Sequence, residues 1–136
     1  MNKIIILAFI ILTLAIGCTP RVNTLDNEEL KPLAEEDYSN ALSIADALMK
    51  AFADQQITTG DKDQELVEDS GLGRILIEKK YMDSLPEPVV QDGYMFYVSI
   101  SNLGSVTVKA GDSPENAQQL YPRPGNFGYP YSVLNK

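Results

Sequence analysis

The tightest constraint on the fold is a stripe of apolar residues at Ala41, Ile44, Ala45, Leu48, Met49 and Phe52. Steps of three and four put them on one side of an α-helix, and neither Gly nor Pro interrupts the segment. The spacing predicts a helix from Asp37 to about Gln56, capped at its start by Asp37 or Ser39. Such a stripe needs a surface to bury it. Tyr94-Met95-Phe96-Tyr97-Val98-Ser99-Ile100 is aromatic and β-branched, as strands prefer. Ser101-Asn102-Leu103-Gly104 supplies a turn, and residues 105–110 return with strict alternation. Val106 and Val108 then face one way, Thr107 and Lys109 the other. Two strands alone are marginal in water, so the helix must cover their apolar side. The expected class is α+β, one long N-terminal helix packed on a small antiparallel sheet.

The remaining segments sort by their breakers. Residues 19–36 are polar, contain Pro20 and Pro32, and read as a tether, with a short helix from Glu28 compatible with that role. Residues 57–69 read as an acidic loop. Ser70 is placed to cap a second, shorter helix with Leu72, Ile75 and Leu76 facing inward, and a strand through 74–78 is the rival reading. Pro86 and Pro88 stop regular structure. Residues 111–125 are turn-rich, and an edge strand is expected near 131–134. One globular domain over 37–136 follows.

Charge and composition exclude several classes of function. The chain carries 11 Lys and Arg against 19 Asp and Glu, a formal charge of −8, which repels nucleic acid and anionic lipid headgroups. It has no histidine and one cysteine, Cys18. Ser-His-Asp and Cys-His catalysis in their usual forms, and zinc sites built on His or Cys, are excluded. No disulfide can form within the chain, and no cofactor is implied.

Residues 1–18 open with Lys3, run apolar from Ile4 to Ile16 broken only by Thr13, and end Leu14-Ala15-Ile16-Gly17-Cys18. The core is too short to cross a bilayer, which takes about 20 apolar residues. A charged start, an apolar core and small residues at the end resemble a bacterial lipoprotein export signal. The resemblance implies a signal peptide over 1–17, cleavage before Cys18, and lipid on Cys18, palmitate-class chains included. Two or more acyl chains anchor firmly, at about 0.8 kcal/mol per buried CH₂. Thr19 stands where Asp would mark inner-membrane retention, so the expected location is the cell envelope, in the periplasm and lipid-anchored at the outer membrane. The expected partners are the membrane, through Cys18, and an envelope protein.

Candidate sites in the globule are weaker. Asp61, Asp63, Glu65, Glu68 and Asp69 crowd one segment, and oxygen ligands at alternate positions suit calcium. A calcium loop starting at Asp61 needs Gly sixth and Glu twelfth, where Leu66 and Leu72 stand. A solvated acidic loop is the simpler reading, and calcium on Asp61, Asp63 and Glu65 is the alternative. Asp69-Ser70-Gly71 matches the catalytic tripeptide of aspartic proteases, but only one copy is present and Glu68 is charged where an apolar residue is expected. Gly71-Leu72-Gly73 is half a dinucleotide fingerprint, since Leu76 takes the third glycine's place. Tyr121-Pro122-Arg123-Pro124 and Tyr129-Pro130-Tyr131 offer stiff backbone and rings for a partner or a sugar. Packing of that tail along its own sheet is the simpler alternative.

The order helix, acidic loop, residues 72–80, Tyr81-Met82-Asp83-Ser84-Leu85-Pro86, then Gly93-Tyr94 opening a hairpin resembles the globular head of type IV pilins and type II secretion pseudopilins. Those proteins keep an apolar N-terminal helix with a Gly-Phe and glutamate signature, which is absent here. The resemblance therefore implies a lipid-anchored pilin-like head, accessory to a pilus or secretion machine. The leading expectation is a non-enzymatic envelope lipoprotein acting by protein contact. The alternatives are a small module binding glycan or calcium, and a carboxylate hydrolase around Asp69.

Overall fold

The computed structural model describes residues 25–136, apart from the side chain of Asp61. Helix α1 runs Asn27–Ala53. Its cap is Asp26, whose carboxylate accepts from Glu28 N at 3.0 Å and Glu29 N at 2.9 Å. Glu28 and Glu29 in the first turn and Lys50 in the last complement the helix dipole. The helix thus begins well before Asp37, and residues 27–36 are not tether. Leu30 and Ala34 are buried and extend the apolar stripe backwards. Pro32 is exposed in the N-terminal part of α1, where its missing N–H costs one bond near a solvated end.

The helix ends before Gln56. Gln55 takes φ 57°, its N–H donates to Phe52 O at 3.0 Å, and Gln56 N donates to Ala51 O at 2.9 Å. That is a Schellman cap with glutamine where glycine is usual. Helix α2, Gly71–Glu78, ends the same way on Lys80 at φ 60°, with Lys80 N on Ile77 O and Tyr81 N on Leu76 O. It starts as expected on Ser70, whose hydroxyl accepts from Gly73 N at 3.0 Å, and the strand reading of 74–78 does not hold. Gly73 lies so close to the preceding turn that a Cβ there would sit 1.9 Å from Val67 O.

Four antiparallel strands form one sheet in the order β1-β2-β3-β4: Gly60–Glu65, Met95–Ile100, Val106–Gly111 and Gln118–Tyr121. The expected hairpin is β2–β3, with Val98 paired to Val108 and Ile100 to Val106. The acidic segment is not a loop there. Its residues 60–65 pair with β2 as an edge strand, the position at which a charged sequence is tolerated. The edge strand expected at 131–134 is instead a 3₁₀ turn, Tyr131–Leu134, and the fourth strand lies earlier, at β4. Pro130 precedes that turn and has no N–H to give a ladder.

The core lies between α1 and one side of the sheet. Ile44, Leu48, Phe96, Val98, Ile100, Val108, Leu120 and Tyr131 are all essentially inaccessible. Thr107 and Lys109 stay half-buried on the far side, as alternation requires. The class is α+β.

The two helix caps generate a prediction. A left-handed conformation costs a non-glycine residue roughly 1–2 kcal/mol, while glycine adds about 0.5–1 kcal/mol of unfolded-state entropy. Gln55→Gly and Lys80→Gly should each stabilise the fold by about 0.5–1 kcal/mol in urea titration. Destabilisation by either would show that the side chain matters more than the cap.

Candidate functional site

The one charged side chain buried completely in the described residues is Asp37. It lies on the stripe Leu30, Ala34, Asp37, Ala41, Ile44, Leu48, Ala51, at alternating steps of four and three. It therefore faces the core and caps nothing. Val89 N donates to its Oδ1 at 2.7 Å. Val90 N donates to Oδ2 at 3.2 Å, and the Tyr131 hydroxyl donates to Oδ2 at 2.9 Å. Burial raises the Asp37 pKa above its ordinary value, with the three donors opposing and Glu36 adding to the rise. The Tyr131 hydroxyl is pushed far up, first by burial and then by the Asp37 charge. Every oxygen in this cluster is engaged inside the molecule, so the cluster holds the fold together and offers no open position to a substrate.

Beside it, Arg123 lies 5.4 Å from the Tyr38 ring centre and 5.0 Å from that of Phe127. It donates to Leu134 O at 3.0 Å. The two rings meet edge to face at 5.9 Å. This clamp ties the 122–135 segment to α1 by cation–π contact.

The residues expected to form a contact surface divide. Tyr131 is buried and is not a contact residue, because its hydroxyl is required by Asp37. Tyr121 is half-buried with its hydroxyl 3.9 Å from Met49 Sδ, and Arg123 is held as above. Tyr129 alone presents an open ring, 61% exposed. Packing of the tail along its own domain accounts for most of these side chains.

Of the calcium candidates, Asp63 is held by Lys109 Nζ at 2.6 Å and Glu65 is exposed beside Tyr97, its cross-strand partner. The side chain of Asp61 lies outside the described residues. A strand spaces alternate residues by about 6.6 Å along its axis and does not wrap an ion as a loop does. Among the described residues no three His, Cys, Asp or Glu side chains gather as a metal group would require. Asp69, the hydrolase candidate, is exposed just before the Ser70 cap of α2. Cys18 lies outside the described residues.

An open cavity of about 540 Å³ lies at the C-terminal end of α1, lined by Phe52, Ala53, Gln55, Ile57, Thr58 and Thr59. The β2–β3 turn stands next to it. Gly104, at φ 80°, lies against the Phe52 ring so closely that a Cβ would come within 2.6 Å of Phe52 Cε1. The preceding residue, Leu103, is 92% exposed. Neither feature stood out in the sequence, where Phe52 belonged to the core stripe and Leu103 to a turn.

No protein-family model, curated protein or solved structure matches the chain. Among the described residues no helix is long and apolar enough to cross a membrane.

Removing Asp37 strands two N–H groups and a hydroxyl, at about 1–3 kcal/mol for each buried group. Asp37→Ala should cost at least about 3 kcal/mol in chemical denaturation, and Tyr131→Phe about 1.5–3 kcal/mol, the range for a hydrogen bond to a charged group. The raised pKa sets a pH dependence. The folded state holds the Asp37 proton to higher pH than the unfolded chain, so the contribution of Asp37 falls as pH rises from about 3.8 through the raised value, and is flat above it. The stability difference between wild type and Asp37→Asn should follow that course. A difference that grows with pH across the window would reverse the assignment.

Proposed function

We propose that this protein is a non-enzymatic, lipid-anchored component of the bacterial cell envelope that works by protein contact. The observation that carries the reading is the sequence Leu14-Ala15-Ile16-Gly17-Cys18 behind a short apolar core, with Cys18 the sole cysteine. An exported lone thiol has no partner within its own chain, and acylation resolves that chemistry. With Cys18 as the first residue, the stretch from Cys18 to the Asp26 cap spans at most about 30 Å. The N-terminal end of α1 then lies within that reach of the membrane, and the β2–β3 turn lies at the other end of α1.

The long helix laid on an antiparallel sheet supports a pilin-like head accessory to a pilus or secretion machine. The burial of Tyr131 and the internal engagement of Asp63 and Asp37 weaken the small-ligand alternative, because those groups serve packing.

Cys18→Ser should block incorporation of an alkyne-palmitate label and abolish cleavage before residue 18 by intact-mass measurement. The wild-type chain should carry the label and lack residues 1–17. A wild-type chain that keeps Met1, or an unmodified Cys18 thiol, would overturn the proposal. Recovery of envelope proteins with the lipidated wild type, above an unrelated lipoprotein control, tests the contact role.

A further inference from the structure

We infer that the cavity at the C-terminal end of α1 is a binding site for an uncharged saccharide, with the Gln55 amide as its central polar contact. The inference goes beyond the anchoring proposal and holds whether or not Cys18 is acylated.

The lining selects the ligand. A volume of about 540 Å³ lies in the range of small-molecule sites. Phe52, Ala53 and Ile57 give the cavity an apolar half, and Gln55, Thr58 and Thr59 a polar half. A wholly apolar ligand would cover an amide and two hydroxyls without meeting their hydrogen bonds, which opposes binding. An anion is repelled by the exposed Asp54 carboxylate next to the lining and by the −8 of the whole chain. A cation finds no carboxylate within the lining to pair with. An uncharged molecule with an apolar face and a hydroxyl-bearing edge matches both halves, and that is the chemistry of a pyranose. Its C–H groups suit the negative face of an aromatic ring, and its hydroxyls suit an amide and two alcohols that each donate and accept.

The polar half is also unspent. Gln55, Thr58 and Thr59 are all exposed, and their side chains make no hydrogen bond among the described residues. Their neighbours differ in this respect: the Gln56 amide donates to Asp54 O at 3.1 Å, and Asp54 Oδ2 accepts from the Tyr81 hydroxyl at 2.6 Å.

Gln55 stands, moreover, where the backbone favours another residue. It takes φ 57° at the end of α1, the position glycine usually fills. Its N–H donates to Phe52 O at 3.0 Å and that of Gln56 to Ala51 O at 2.9 Å, so the cap holds the Gln55 backbone in one geometry. The side chain that glycine would lack is the one that lines the cavity. Thr58 and Thr59 are tied on both sides, by the buried Ile57 and by Gly60, which pairs with Ile100. The Phe52 ring is backed by Gly104. The site is thus preformed, and little ordering cost remains to be met on binding.

Titration calorimetry of the full chain, held in a polyoxyethylene detergent that carries no sugar, tests this. The probes are neutral trisaccharides of glucose, mannose, galactose and N-acetylglucosamine, with trigalacturonate as the anionic comparison. The expected result is saturable binding of at least one neutral trisaccharide, with Kd between about 10 µM and about 1 mM, and none of trigalacturonate. Gln55→Gly should weaken that binding by roughly two- to tenfold, the range of one neutral hydrogen bond, while the melting temperature does not fall. Loss of contact is thereby separated from loss of fold. Thr59→Val, at an exposed position, should weaken binding by a similar factor. Lys80→Gly makes the same cap change outside the lining and should leave affinity unchanged. Absence of binding by every neutral trisaccharide up to about 10 mM, equal binding of trigalacturonate, or a Gln55→Gly chain that binds as tightly as wild type would overturn the inference.

Discussion

One buried carboxylate joins three parts of the chain that are far apart in sequence. Asp37 sits inside the apolar stripe of α1, and its two oxygens collect Val89 N, Val90 N and the Tyr131 hydroxyl. An apolar residue in its place would pack the stripe but leave backbone N–H groups without acceptors. The segment 86–90, interrupted by Pro86 and Pro88, has no ladder to satisfy it, so an acceptor must come from a side chain. The carboxylate supplies two at once. Desolvating a charge is costly, and three donors converging on it offset that cost. Tyr131 in turn places the 3₁₀ turn on α1, and Arg123 fastens the preceding segment through the Tyr38 and Phe127 rings.

The parts of the fold that were legible are those governed by local periodicity. The alternation of Val106, Thr107, Val108 and Lys109, the Ser70 cap and the stripe at Ala41, Ile44 and Leu48 each act through neighbours a few positions away. The parts that were not legible depend on partners distant in sequence. Residues 60–65 have the composition of a loop and become a strand because β2 offers a free edge and Leu66 N bonds Phe96 O at 2.9 Å. Tyr131 suits an edge strand by type, yet it is drawn inside by Asp37. The helix ends were obscured because Gln55 and Lys80 occupy left-handed positions that glycine would have marked.

Asp37 itself carried a readable signal. It falls in step with Leu30, Ala34, Ala41 and Ile44, which places it on the inward side, whereas a cap lies outside the periodic run. A cap at Asp37 would also leave the first turns of α1, from Asn27, outside the helix. Asp26 performs the capping role one residue before the helix starts. Pro32 masks both features, since proline breaks a helix interior but is tolerated near an exposed start.

The Asp37 region and the C-terminal end of α1 are thereby finished by different physics. Around Asp37, polar groups are matched one to one within the chain, and the aromatic clamp closes over the same region; such a surface has no unmet chemistry to offer. Around Phe52, the cavity lining mixes Phe52, Ala53 and Ile57 with Gln55, Thr58 and Thr59, and the turn holds Leu103 in water. Burial of apolar area is non-directional, but shape is not. The polar cluster in the first half of α1 is thus closed within the chain, while the C-terminal end of α1 leaves Leu103 and part of the Phe52 side chain in water.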